Sequence, residues 1–202
     1  MIKFWTVQNK YTLDKIIQDG VYYPDFKYKG KLACEEANLS YDIMRRTYQD
    51  KNGLDNVKGL VFGLTNYLEK EINDYEQYKY VIKDSGAGGI SYCDDDYYVL
   101  ELEIDENKFD MCSCHFYNFS DLIYYFDIEY KYTTVNQRMS VMRNLFSDDS
   151  CMHLIQSHIH YIDKSMIKGI YKSYEYNYKN KEDMYGKCED LEYYKNMIIK
   201  TK

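Results

Sequence analysis

Gln8 ends the first apolar stretch of the chain, Ile2-Lys3-Phe4-Trp5-Thr6-Val7. A side-chain amide carries both donors and an acceptor, so at the mouth of a sheet it could hold a nicotinamide or a ribose. It could equally end a strand and cap a turn. Tyr22 and Tyr23 follow a glycine stop at Gly20. On a strand they point to opposite faces, so one can stack on a ligand ring while the other packs inward. Glu101 and Glu103 share one face of a strand. Such a pair divides acid and base roles when one member is buried; otherwise it forms the solvent face of a half-exposed strand. Gln156, His158 and His160 lie on one late segment, and histidine titrates near neutrality, which suits a general base. Cys112, Cys114 and His115, with His153, His158 and His160, are zinc-ligand types. Cys-x-Cys-His is not a usual knuckle spacing, however, and no second Cys-x-x-Cys accompanies it, so no metal is expected. Nothing local marks Cys112 as an activated nucleophile.

These residues need elements to position them. Residues 2–8 read as a strand and Thr12 to Gln18 as a helix, with Thr12 as its cap, Leu13, Ile16 and Ile17 on one face and Gly20 as its stop. Residues 34–50 read as a helix with Ala37, Tyr41, Met44 and Tyr48 on one stripe. Residues 57–64 read as an apolar strand whose Gly59 and Gly63 suggest a bulge or a close backbone approach. A helix is favoured over 65–78, and a flexible loop over Ser85–Gly89, which lacks a phosphate-loop pattern. Tyr97–Ile104 is the clearest strand, alternating apolar and acidic from Leu100 to Ile104. Helices are expected from Asn118 and over 135–146, a strand over His153–Ile162, and a turn at Asp163-Lys164-Ser165 leading into Met166–Tyr171. The sum is an α+β fold, with residues 1–172 as a single domain and 173–202 as a charged, tyrosine-rich tail or helix.

The chain has 202 residues, 45% hydrophobic and 17% aromatic, which is ample for a core. Its 26 tyrosines fit both AT-rich coding bias and a set of amphipathic rings for an interface. Net charge is −7, and an acidic body disfavours sequence-independent nucleic-acid binding. The Asp94-Asp95-Asp96 run reads as a solvated loop. The start Met1-Ile2-Lys3-Phe4-Trp5 lacks a signal-peptide core, and no apolar run approaches the roughly 20 residues of a bilayer span. A cytoplasmic location is expected, with the six cysteines as thiols and no membrane partner.

Trp5-Thr6-Val7-Gln8, Ile16-Ile17 and Gly20-Val21-Tyr22-Tyr23 resemble the opening of an uncharacterised bacterial domain-of-unknown-function family that begins Trp-Thr-x-Gln. Tyr41-Asp42-Ile43-Met44, Val99–Asp105 and the aromatic stretch Phe119–Phe126 are similar too. The likeness spans residues 4–170, and it departs where the family has a Trp-rich strand and this chain has Leu60-Val61-Phe62-Gly63. It implies a fold rather than an activity.

A fainter resemblance is to ADP-ribosyltransferases. Their first strand ends in a polar residue that holds NAD, and the Leu-x-x-Ile-Ile-x-x-Gly helix that follows looks like Leu13 to Gly20. Their late strand carries a Gln/Glu-x-Glu pair; here that place reads Gln156-Ser157-His158, so His158 stands where the catalytic glutamate would be. The resemblance implies a split sheet and an NAD-using transferase acting on a macromolecular target, or a relative that keeps only the binding cleft. Thr6 and Gln8 would contact the cofactor, and Tyr22 or Tyr23 would stack on its ring. Gln156 and His158 would lie at the reacting end, and Glu101 or Glu103 would be the acid. The competing reading is a non-enzymatic acidic inhibitor, such as an anti-defence protein in a bacterial or phage setting. It would bind a protein partner by occupying that partner's basic nucleic-acid channel.

Overall fold

The computed structural model describes residues 1–25, 35–87, 96–108, 113–117, 119–120, 134 and 154–200, and side chains for all of these except 35–40. The expected helix over 135–146 lies outside the described residues, as do Cys112 and His153.

The fold is α+β and is built on an antiparallel sheet. Its strands are β1 (Ile2–Asn9), β3 (Val61–Tyr67), β4 (Lys70–Glu71), β5 (Tyr97–Ile104), β6 (Cys114–His115), β7 (Leu154–Ile159) and β9 (Ile167–Lys172). They lie in the order β6-β7-β3-β1-β5-β9, with β4 folded back on β3. Two short ladders sit beside the sheet: β2 (Val21–Tyr22) with β8 (Ile162–Asp163), and the hairpin β10 (Tyr174–Asn177) with β11 (Glu182–Tyr185).

Alternation along β1 feeds two cores. Phe4 packs with Leu13 and Ile16 of α1 (Lys10–Asp19) and with Leu100, Leu102 and Ile104 of β5. Trp5 packs on the other face with Tyr78, Val81 and Ile82 of α3 (Tyr75–Ser85). A third cluster joins Met44 and Tyr48 of α2 (Glu35–Asn52) to Leu60, Cys114, Phe119 and Phe62 at the β6–β7–β3 end. Met44 and Tyr48 thus occupy the apolar stripe expected of that helix.

Helix α1 starts earlier than its apolar pattern suggests. Asn9, not Thr12, is the cap: its side chain accepts the Thr12 amide hydrogen at 3.1 Å. Gly20 closes the helix at φ +77, a conformation natural to glycine. Asn9→Ala should therefore cost about 1 kcal/mol of stability, read as a lower urea midpoint at unchanged slope.

The helix expected over 65–78 is replaced by strand, turn and a later helix. Pairing with β7 holds Asn66 and Tyr67 extended. Leu68 and Glu69 then turn at positive φ into β4, and α3 begins only after Asp74 accepts the Gln77 amide hydrogen. The half-exposed strand expected at Tyr97–Ile104 is instead interior. It lies between β1 and β9, and Glu101 is 8% exposed.

Tyr174 joins the second core, and Cys188, Tyr194 and Ile198 close over the first. The short helix α4 (Leu191–Tyr194) runs into a wider turn, Lys195–Ile199, and Tyr194 and Ile198 are fully buried. The Tyr194 hydroxyl donates to Asp14 at 2.6 Å, and Lys10 bridges Asp190 at 2.5 Å. Among the described residues, no helix is long and apolar enough to cross a membrane.

Candidate functional site

Strand β1 pairs with β5 along its whole length, Ile2↔Ile104 through Asn9↔Tyr97. With β3 it pairs at one position, Trp5↔Leu64. Beyond that pair the two strands part, and a side-chain bond replaces the ladder: the Thr6 hydroxyl donates to the Phe62 carbonyl at 2.6 Å. Gln8 braces this stitch. Its amide Nε2 donates to Thr6 Oγ1 at 2.9 Å, and its Oε1 accepts from the Thr12 hydroxyl at 3.3 Å.

The parting leaves a cleft of about 420 Å3, within the usual range of roughly 300–1,000 Å3 for ligand pockets. Thr6, Val7 and Gln8 of β1 line one side and Val61–Leu64 of β3 the other. Tyr22, Tyr41, Tyr97, Phe116 and Phe119 contribute rings, and Gln156 reaches in from β7. Residues from both faces of β1 line it, as expected of a gap running through a sheet. Among the described lining residues none carries a charge.

Gly63, on the cleft wall, allows a close approach from β1. A Cβ there would lie 2.3 Å from the Phe4 ring, so the missing side chain lets Phe4 cross the strand. Leu64 to Asn66 then shifts register against β7. Both features, close approach and bulge, are what the glycines of this strand suggest.

The structure brings Thr6, Gln8, Tyr22 and Gln156 together. His158 sits directly behind Gln156, fully buried, with the Gln156 amide nitrogen 2.9 Å from its Nε2. The Phe62 ring meets the His158 imidazole edge-on at 4.7 Å. Glu101 does not join them. Its Oε1 lies 2.5 Å from Lys3 Nζ, and its Oε2 accepts the Tyr171 hydroxyl at 2.9 Å. Burial and that carboxylate push the Tyr171 phenol up to about 12. Glu103 pairs with Lys168 at 3.3 Å. Tyr23 is 62% exposed and lines a separate hollow with Pro24, Val57 and His160. His160 bonds the Tyr48 hydroxyl at 2.9 Å, and burial lowers its pKa from the ordinary imidazole value.

No family model, curated protein or solved structure matches this chain. The site therefore rests on its own geometry. Among the described residues no group of three or more His, Cys, Asp or Glu could hold a metal ion, and Cys114 is buried against α2 and Phe119.

Sequence reasoning missed Tyr41, Phe62, Tyr97 and Phe116. Tyr41 lay on the stripe assigned to the core, and Tyr97 opened a strand whose interest lay in its glutamates. Only the parting of β1 from β3 turns these rings toward one space.

Proposed function

We propose that the cleft binds a ring-bearing small molecule, with the nicotinamide–ribose end of NAD as the leading candidate. The observation that carries this reading is the aromatic, uncharged gap between β1 and β3, with Gln8, Thr6, Tyr22 and Gln156 at its wall. Aromatic faces suit a planar ring, and a few amides and hydroxyls suit its polar edge. A cofactor diphosphate would lie outside the gap, since none of the described lining residues is cationic.

The same geometry favours binding over transfer. Breaking a glycosidic bond develops positive charge on the sugar, and an anion beside it lowers that barrier. Glu101 and Glu103 are engaged by Lys3, Tyr171 and Lys168 and do not line the cleft. The protein then acts as a ligand-binding module derived from, or resembling, an ADP-ribosyltransferase-like split sheet. The reading as an acidic inhibitor needs an exposed acidic patch; Glu101 is nearly buried, and Glu103 is paired with Lys168.

Titration calorimetry with NAD+ tests this, wild type beside Val7→Trp, a substitution that fills the cleft from its half-buried wall. Saturable heat in the wild type, lost in the variant, is the expected result. At ligand a hundredfold above Kd the wild type should gain about 2.7 kcal/mol, a Tm rise of roughly 5–10 °C for a chain of this size. No heat and no stabilisation at millimolar NAD+ would sink the cofactor reading.

A further inference from the structure

The polar groups of the cleft are not equivalent. Trp5 Nε1 donates to the Ile72 carbonyl, Thr6 donates to Phe62, Ser120 donates to Phe116, and both ends of the Gln8 amide are held by threonines. Gln156 differs. Its residue is 5% exposed, its Nε2 meets His158, and its Oε1 accepts no hydrogen bond from any described residue. Among the described side chains, the polar atoms sealed without a partner are the Tyr98 hydroxyl and Ser173 Oγ. Gln156 Oε1 is not one of them, so this acceptor opens on the cleft that its residue lines.

The amide nitrogen faces His158 Nε2 at 2.9 Å, and the imidazole tautomer that accepts there carries its hydrogen on Nδ1. The His158 ring is itself clamped, with Phe62 at 4.7 Å and Phe119 at 6.1 Å. A fixed imidazole with Nε2 as acceptor holds the amide with its carbonyl outward.

We propose that Gln156 reads the ligand's ring edge as a hydrogen-bond acceptor, and that His158 is the positioning residue that presents it so. The ligand class follows: heteroaromatic rings bearing an exocyclic N–H donor, such as a carboxamide or an aromatic amine. This rests on the cleft reading above and adds the chemistry it selects. A ring lacking that donor leaves a nearly buried carbonyl unpaired, which penalises binding.

Two matched pairs of neutral probes test it. Nicotinamide is compared with 3-acetylpyridine, and adenosine with purine riboside; each second member lacks only the donor. In the wild type the donor-bearing member of whichever pair binds should be tighter by about 5- to 100-fold. In Gln156→Leu that ratio should fall to about one. In His158→Phe the amide is free to turn, and the ratio should shrink even where overall affinity persists. A merely structural role for His158 would change both members equally. Circular dichroism confirms that each variant folds; should His158→Phe not fold, the wild type and Gln156→Leu still decide the role of Gln156. Equal affinities within a pair that binds, or a ratio unchanged in Gln156→Leu, would overturn the role of Gln156 and leave the cleft reading standing. A wild-type ratio that is intact in a folded His158→Phe would overturn the positioning role. No binding by any of the four probes would overturn both.

Discussion

Trp5→Ala should lower the free energy of unfolding by about 3–5 kcal/mol, the range for deleting a large buried aromatic. Trp5 is 1% exposed and stacks on Tyr78 at 5.6 Å, while Tyr171 lies at 5.9 Å. Its Nε1 donates to the Ile72 carbonyl at 2.7 Å, tying β1 to the segment between β4 and α3. Alanine would remove the ring, orphan that carbonyl and open a cavity at the one position where β1 still pairs with β3. Trp5→Phe should keep most of the packing and lose about 1–2 kcal/mol through the unpaired carbonyl. The measurement is urea unfolding followed by far-ultraviolet circular dichroism, because Trp5 is the chain's single tryptophan and its fluorescence disappears with it. A loss below about 1 kcal/mol for Trp5→Ala would contradict its burial in the core against α3.

The second large effect concerns charge. Lys3→Met should cost about 1–3 kcal/mol at neutral pH. Lys3 Nζ reaches both Glu101 at 2.5 Å and the Asn73 carbonyl at 2.7 Å. Without it, the nearly buried Glu101 carboxylate keeps only the Tyr171 hydroxyl as a partner. The cost stays below that of a fully buried pair because the Lys3 side chain is 29% exposed and water screens it. Adding Glu101→Gln to Lys3→Met should restore most of the loss, since the neutral amide still accepts from Tyr171. A deficit unrelieved in the double variant would show that the lysine acts through packing alone.

Glu101 also marks where local pattern and structure diverge. An apolar–acidic alternation looks the same on an edge strand and on an interior one. Which it is depends on the strands to either side: Glu101 pairs with Trp5 on β1 and Gly169 on β9, and its carboxylate meets the neighbouring Lys3 and Tyr171 side chains. The stretch 65–78 diverges for a related reason. Thr65 and Tyr67 favour a strand and Asn66 does not, and pairing with Leu154 and Ile155, nearly ninety positions later, decides for strand.

Much of the fold is nonetheless legible in local signals. The first strand, the glycine stop of α1, the apolar stripe of α2 with Met44 and Tyr48, the Tyr97–Ile104 strand and the late strand around Gln156 all follow from periodicity and punctuation. These depend on neighbours a few positions apart, and short-range sterics enforce them whatever surrounds the chain. The polar character of the site is legible too, since Thr6, Gln8, Tyr22 and Gln156 are conspicuous as residue types.

What the chain could not declare locally is which of those residues meet. Strand order, the single β1–β3 pair, and the burial of Glu101 and His158 are set by contacts between distant segments. Hydrophobic burial has no direction of its own, so the sheet's order emerges only when all its strands compete for the same core. The cleft is the clearest case: it is a gap between strands, beside the single Trp5–Leu64 pair, where Thr6 stitches to Phe62. No residue encodes a gap, and only the assembled sheet leaves one.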